Sequence, residues 1–160
     1  MGVYYNVNSY KKEKSCIVSQ ISFLGCYEVK AEAISKFNLN KEDICHKGSL
    51  NIISVAQKHH KELGLTMQDF IFYDLASCYW SGQSIGEHEG EPTHIIFEPS
   101  KLLHPISLIL DKKDIILSFI KKAYTLKEIA DYGEVEFLIE FKQVIKEAME
   151  QDALVGITVS

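Results

Sequence analysis

Between residues 134 and 151, apolar side chains return every three or four positions: Val135, Leu138, Phe141, Ile145 and Ala148, with Phe137, Val144 and Met149 beside them. That spacing places them on one stripe of a helix and leaves the opposite face to charged residues. A helix this one-sided needs a second layer to bury its stripe. The chain runs almost directly from it into Leu-Val-Gly-Ile-Thr-Val at 154–159, which reads as a strand. A long amphipathic helix feeding a strand commits the fold to mixed α and β.

The rest of the sequence fits that frame. Residues 2–8 and 15–24 are rich in β-formers and are expected as strands. Residues 28–37 are expected as a short helix with Val29, Ala33 and Phe37 on one face, and Asn40 caps a turn through Cys45. Residues 49–63 carry Ile52, Ile53, Ala56, His60 and Leu63 at helical spacing, and Gly64 sits where a C-terminal cap belongs. Thr66 and Asp69 form a capping-box pattern ahead of Phe70, Ile71, Tyr73 and Leu75, a run that suits helix or strand. Residues 93–98 are expected as a strand. Asp111 is expected to cap a helix reaching Tyr124, and Thr125 with Glu128 to open a helical turn ending near Gly133. The expected fold class is α+β: a single domain over residues 1–160, with a small, mostly antiparallel sheet and packed helices.

Composition bounds the function. A chain of 160 residues buries enough surface to fold without a metal or disulfide, and 46% hydrophobic with 24% charged residues is ordinary for a soluble globular protein. The longest apolar run, 102–110, is interrupted by His104 and Pro105, whereas a membrane span needs about 20 residues. No membrane partner is expected. The N-terminal residues hold no apolar signal core, and Asn6 occupies the position where a myristoylated Gly2 would want Ser or Thr. The expected compartment is the cytoplasm. Cys16, Cys26, Cys45 and Cys78 form no Cys-x-x-Cys pair, which argues against a four-cysteine zinc site and for reduced, mostly buried thiols.

All 17 basic residues are lysine. Arginine is the preferred fork for phosphate and guanine, so its absence, with a net charge of −5, argues against nucleic acid as a partner. The charge is also uneven. Residues 1–80 carry 9 Lys against 8 acids, and residues 81–160 carry 8 Lys against 14 acids. An acidic half suits a basic partner or a solvated face.

Chemistry-bearing residues concentrate at 77–94, Ser-Cys-Tyr-Trp-Ser-Gly-Gln-Ser-Ile-Gly-Glu-His-Glu-Gly-Glu-Pro-Thr-His. The glycines and the proline mark it as a loop, and surface loops often carry function. Cys78 with His88 or His94 would make a nucleophile and base, but the neighbouring glutamates would raise the thiol's pKa. His88, His94 and the glutamates hold metal-ligand atoms without a metal-site spacing. His59 and His60 are adjacent on a helix and point about 100° apart, so they do not share one ion; His60 is expected at the core edge and His59 in solvent. Neither a phosphate-binding glycine loop nor a serine-hydrolase elbow occurs.

No residue is therefore assigned a catalytic or metal-ligating role, and no cofactor is expected. What remains is a recognition surface: Tyr79 and Trp80 as aromatic anchors, with Glu87, His88, Glu89 and Glu91 as contact or steering groups. Two alternatives stand beside it: a small cysteine-dependent enzyme using Cys78 with His88 or His94, and a self-associating interaction domain.

The opening Met-Gly-Val-Tyr-Tyr-Asn-Val-Asn-Ser and the final segment from Phe137 to Ser160 resemble small bacterial immunity proteins, the cognate inhibitors of polymorphic and contact-dependent toxins. The resemblance covers the two termini and carries no binding residues. It implies a cytoplasmic protein whose partner is a cognate protein toxin, neutralised by occlusion.

Overall fold

The computed structural model describes residues 3–12, 14–21, 25–30, 33, 44–48, 52–80, 93–123 and 134–159. In chain order these form β1 (Val3–Tyr10), a 3-10 turn (Lys14–Cys16), β2 (Ile17–Ile21), β3 (Cys26–Lys30), β4 (Ile44–Gly48), α1 (Ile52–Lys58), a 3-10 turn (Met67–Phe70), α2 (Ile71–Trp80), β5 (Thr93–Phe97), α3 (Pro99–Asp111), α4 (Lys113–Ala123), α5 (Glu134–Glu150) and β6 (Leu154–Val159). The strands make one sheet in the order β2-β3-β5-β6-β1-β4, with every pair antiparallel. The α+β class expected from the sequence is the one observed.

Alternation along the strands separates the two faces of the sheet. Val7, Cys26, Phe97, Val155 and Ile157 join the main core with Phe70 and Phe72, Leu102, Ile106 and Ile109 of α3, Ile116 and Ile120 of α4, and the α5 stripe. Their neighbours Tyr10, Tyr27, Val29, Ile96 and Leu154 form a second, smaller cluster with Cys16 and Ala33 on the other face. α2 packs on β5 and β6, α5 packs on β1, β4 and β6, and α3 lies against α5.

The α5 stripe is as expected, with Leu138, Phe141, Ile145 and Ala148 buried. Phe137 is buried with them, while Met149 is exposed. Two helical segments end in the same way. After α1 the chain turns through residues 59–64, and Leu65 N–H donates to His60 O while Gly64 N–H donates to Lys61 O. Gly64 there has φ +69, the left-handed cap that the sequence suggests. After α5, Ala153 N–H donates to Ala148 O and Asp152 N–H to Met149 O, but the left-handed position is Asp152, at φ 50.

Three expectations need correcting, and one segment that carried none, 102–110, proves regular. Residues 28–30, expected to start a helix, belong to β3, whose pairing with β5 (Cys26 opposite Phe97, Lys30 opposite Thr93) outweighs the local helical spacing; residues 34–37 lie outside those described. β4 replaces the turn expected through Cys45, pairing with β1. The run at 102–110 is helical despite Pro105. Pro99 opens α3 at its first turn, and Leu102, Ile106 and Ile109 bury one stripe, offsetting the roughly 3 kcal/mol cost of an interior proline. Asp111 caps nothing; it is the last residue of α3, and α4 begins at Lys113. The short turn expected at 125–133 lies outside the described residues.

Gly156 stands where β6 meets both neighbours, opposite Asn8 of β1 and Ile96 of β5. The Tyr10 ring covers it, and a Cβ there would run into that ring. Gly156→Ala should therefore cost about 2 kcal/mol through overpacking, read as a lowered Tm in thermal unfolding. Asp152→Gly should act oppositely and stabilise by about 1 kcal/mol, because glycine accepts the left-handed cap without a Cβ penalty; a lowered Tm would refute that account of the cap.

Candidate functional site

The segment read as a loop is partly regular. Ser77, Cys78, Tyr79 and Trp80 continue α2 to its C-terminus, and Thr93 and His94 open β5. Tyr79 and Trp80 are thus the last two helical residues, although their side chains, like that of Cys78, lie outside the described residues. Glu87, His88, Glu89 and Glu91 fall within 81–92, also outside them.

The two elements flanking 81–92 are well anchored. Thr66 N–H and hydroxyl bond Asp69 Oδ2 at 2.8 and 3.0 Å, fixing the 3-10 turn that leads into α2 and fulfilling the expected capping pattern. That run is helical rather than strand, with Phe70 and Phe72 buried. The Phe72 ring meets Phe141 of α5 edge-on, with centroids 6.4 Å apart. Gln57 Nε2 donates to Asp74 Oδ1 at 2.8 Å, tying α1 to α2. β5 lies inside the sheet between β3 and β6.

The far end of β5 is held by a cluster that the sequence reading did not single out. Glu98 precedes α3, yet its side chain does not cap that helix. Instead, Tyr27 Oη donates to Glu98 Oε1 at 2.7 Å, and Lys12 Nζ does so at 3.2 Å. The Lys12 ammonium also stands 5.6 Å from the centre of the Tyr27 ring. Glu98 N–H donates to Gly25 O, and Gly25 has φ +62. The Glu98 hydrogen bond, burial and the Glu98 charge together raise the Tyr27 pKa. Burial alone would lower that of Lys12, but the Glu98 hydrogen bond and charge outweigh it and the net shift is upward. Pro99 after Glu98 is a helix-start signal in the sequence, one that the expected strand at 93–98 leaves unused.

The Cys26 thiol is part of the core. Cys26 is fully buried, and burial first, then the Glu28 charge, push its pKa up to about 11. It is therefore protonated and a poor nucleophile at neutral pH. Glu28, on the same face, accepts from Ser19 Oγ at 2.5 Å. His94 is half-buried in β5, where burial lowers its pKa. His59 corrects an expectation: its ring stacks on Phe119 of α4 with centroids 4.4 Å apart, and Nδ1 lies 3.3 Å from Glu62. His60 Nδ1 lies 2.9 Å from Gln57 O. Among the described residues, no three His, Cys, Asp or Glu side chains are grouped to hold a metal ion. No described helix is long and apolar enough to cross a membrane.

No family model, curated protein or solved structure gives a significant match to this chain. Functional inference therefore rests on its own residues.

Tyr27 and Lys12 both hold their protons more tightly when folded, so the folded state binds more protons at alkaline pH. Stability falls as pH rises past the ordinary tyrosine value of 10.0. Tyr27→Phe should cost about 1 kcal/mol near neutral pH, through the lost bond to Glu98. It should also flatten the alkaline decline. Urea unfolding near neutral pH, and again about one unit above the ordinary tyrosine pKa, checks both; equal declines in parent and variant would overturn the assignment.

Proposed function

We propose that the chain is an immunity protein that acts in the cytoplasm. In this reading it binds a cognate bacterial toxin, a basic nuclease being the best-fitting case, and neutralises it by stoichiometric occlusion. One observation carries the reading: an acidic segment is slung between two elements that pack on each other. The chain leaves α2 at Trp80 and re-enters the sheet at Thr93, and α2 packs on β5. Between those points lie Glu87, Glu89 and Glu91 and no lysine. A rigid frame presenting a charged segment lowers the ordering cost of binding. A concentration of carboxylates beside Tyr79 and Trp80 combines steering charge with aromatic anchors. The Met-Gly-Val-Tyr opening and the helix-then-strand ending, which resemble immunity proteins, support the same reading. Inhibition by occlusion asks nothing of the buried Cys26 thiol or the half-buried His94.

The test begins with the gene immediately upstream, which should encode a large toxin. Co-expression of that toxin's C-terminal fragment with this chain should restore growth, and the two should co-purify at equal stoichiometry. Changing Glu87, Glu89 and Glu91 together to Lys should weaken the complex by about tenfold or more. Unchanged affinity would remove the segment from the interface, and failure to rescue growth would end the immunity reading.

A further inference from the structure

A cavity of about 380 Å³ opens between the Met67–Phe70 turn and the first two turns of α3. That volume is at the lower end of the range for small-molecule sites. Its base is apolar: Phe72 of α2, Phe97 of β5 and Pro105 of α3 all line it, and all three are buried. Two of these are flat rings held by the main core, so the base is already formed before anything enters.

The rim is polar and its charge is asymmetric. On the α3 side stand Lys101 and His104, three residues apart and so on one face of the helix. Both are exposed, and neither is in an ion pair among the described residues. The facing rim holds Asp69. One of its carboxylate oxygens, Oδ2, already accepts from the Thr66 N–H and hydroxyl, which offsets part of its charge. A ligand therefore meets an aromatic floor with a lysine and a histidine on one side of the rim.

We infer that this cavity is a binding site for a small, flat apolar molecule carrying one anionic group, of the aromatic carboxylate class. The ring would lie against Phe72 and Phe97, and the carboxylate would face Lys101 and His104. This site draws on the opposite end of α2 from Tyr79 and Trp80 and does not depend on the toxin-binding reading.

The probe is 2-naphthoate, titrated into the full chain and followed by amide chemical shifts, with its neutral counterpart 2-naphthamide run in parallel. Saturable shifts should appear at residues 68–72 and 97–105 and nowhere remote. Replacing the carboxylate with the amide should weaken binding by about tenfold, as should the double variant Lys101→Gln with His104→Gln. Ser100→Trp, at an exposed position on the same rim, should block entry while leaving Tm unchanged. The exposed Gln pair keeps the test decisive should the tryptophan disturb folding. Absence of saturation, shifts mapping elsewhere, or equal affinity for the acid, the amide and the Gln variant would each overturn the site.

Discussion

The hydrogen bonding of β6 to both of its neighbours joins the sheet. On one side lie β5, β3 and β2; on the other lie β1 and β4; Leu154–Val159 is the strand that pairs with both groups. The close approach at its middle explains why glycine stands at 156, with the Tyr10 ring folded over it. Beside it, Asn8 is buried, and its Oδ1 finds no hydrogen-bond partner among the described residues. On the other face, Val155 and Ile157 meet the core that α2 and α5 share. The left-handed turn at Asp152 sets the direction in which the strand leaves α5. Sheet closure, helix packing and the second cluster therefore meet on these six residues.

Much of this was legible in the sequence where one signal dominated. The α5 stripe, the terminal strand, the Gly64 cap and the Thr66–Asp69 pair were each readable because burial or a cap requires particular residue types at particular spacings. The misreadings share a cause. Val29 and Ala33 do end in one buried cluster, but Val29 reaches it through the pairing of β3 with β5, which lies more than sixty positions away in sequence and has no local signature. In α3, the run at 102–110 is read only for its length against a membrane span, and its stripe of Leu102, Ile106 and Ile109, buried in the fold, goes unused. The extent of α2 was misjudged because glycine and proline further on drew the loop boundary back to Ser77.

The candidate site was legible in composition and only partly in geometry. Tyr79, Trp80 and the three glutamates stand out by residue type, and the structure adds that the chain bearing them is pinned at both ends. The Lys12, Tyr27 and Glu98 corner left almost no trace, because its members come from three separated parts of the chain and meet only once the sheet has formed. The cavity near Lys101 was hidden for the same reason: its walls come from α2, α3, β5 and the turn before α2. Each end of α2 thus adjoins one candidate for recognition, one acidic and suited to a macromolecule, the other cationic and suited to a small anion.

The central position of β6 also has a kinetic meaning. Its partner β1 lies at the opposite end of the sequence described, so the contact that unites the sheet closes nearly the largest loop available to the chain. Non-local pairings of this kind slow folding. Until β6 docks, β1 and β5 each present an unsatisfied backbone edge, and such edges pair readily with other chains. The molecule's greatest exposure to aggregation is therefore the interval before that strand is inserted.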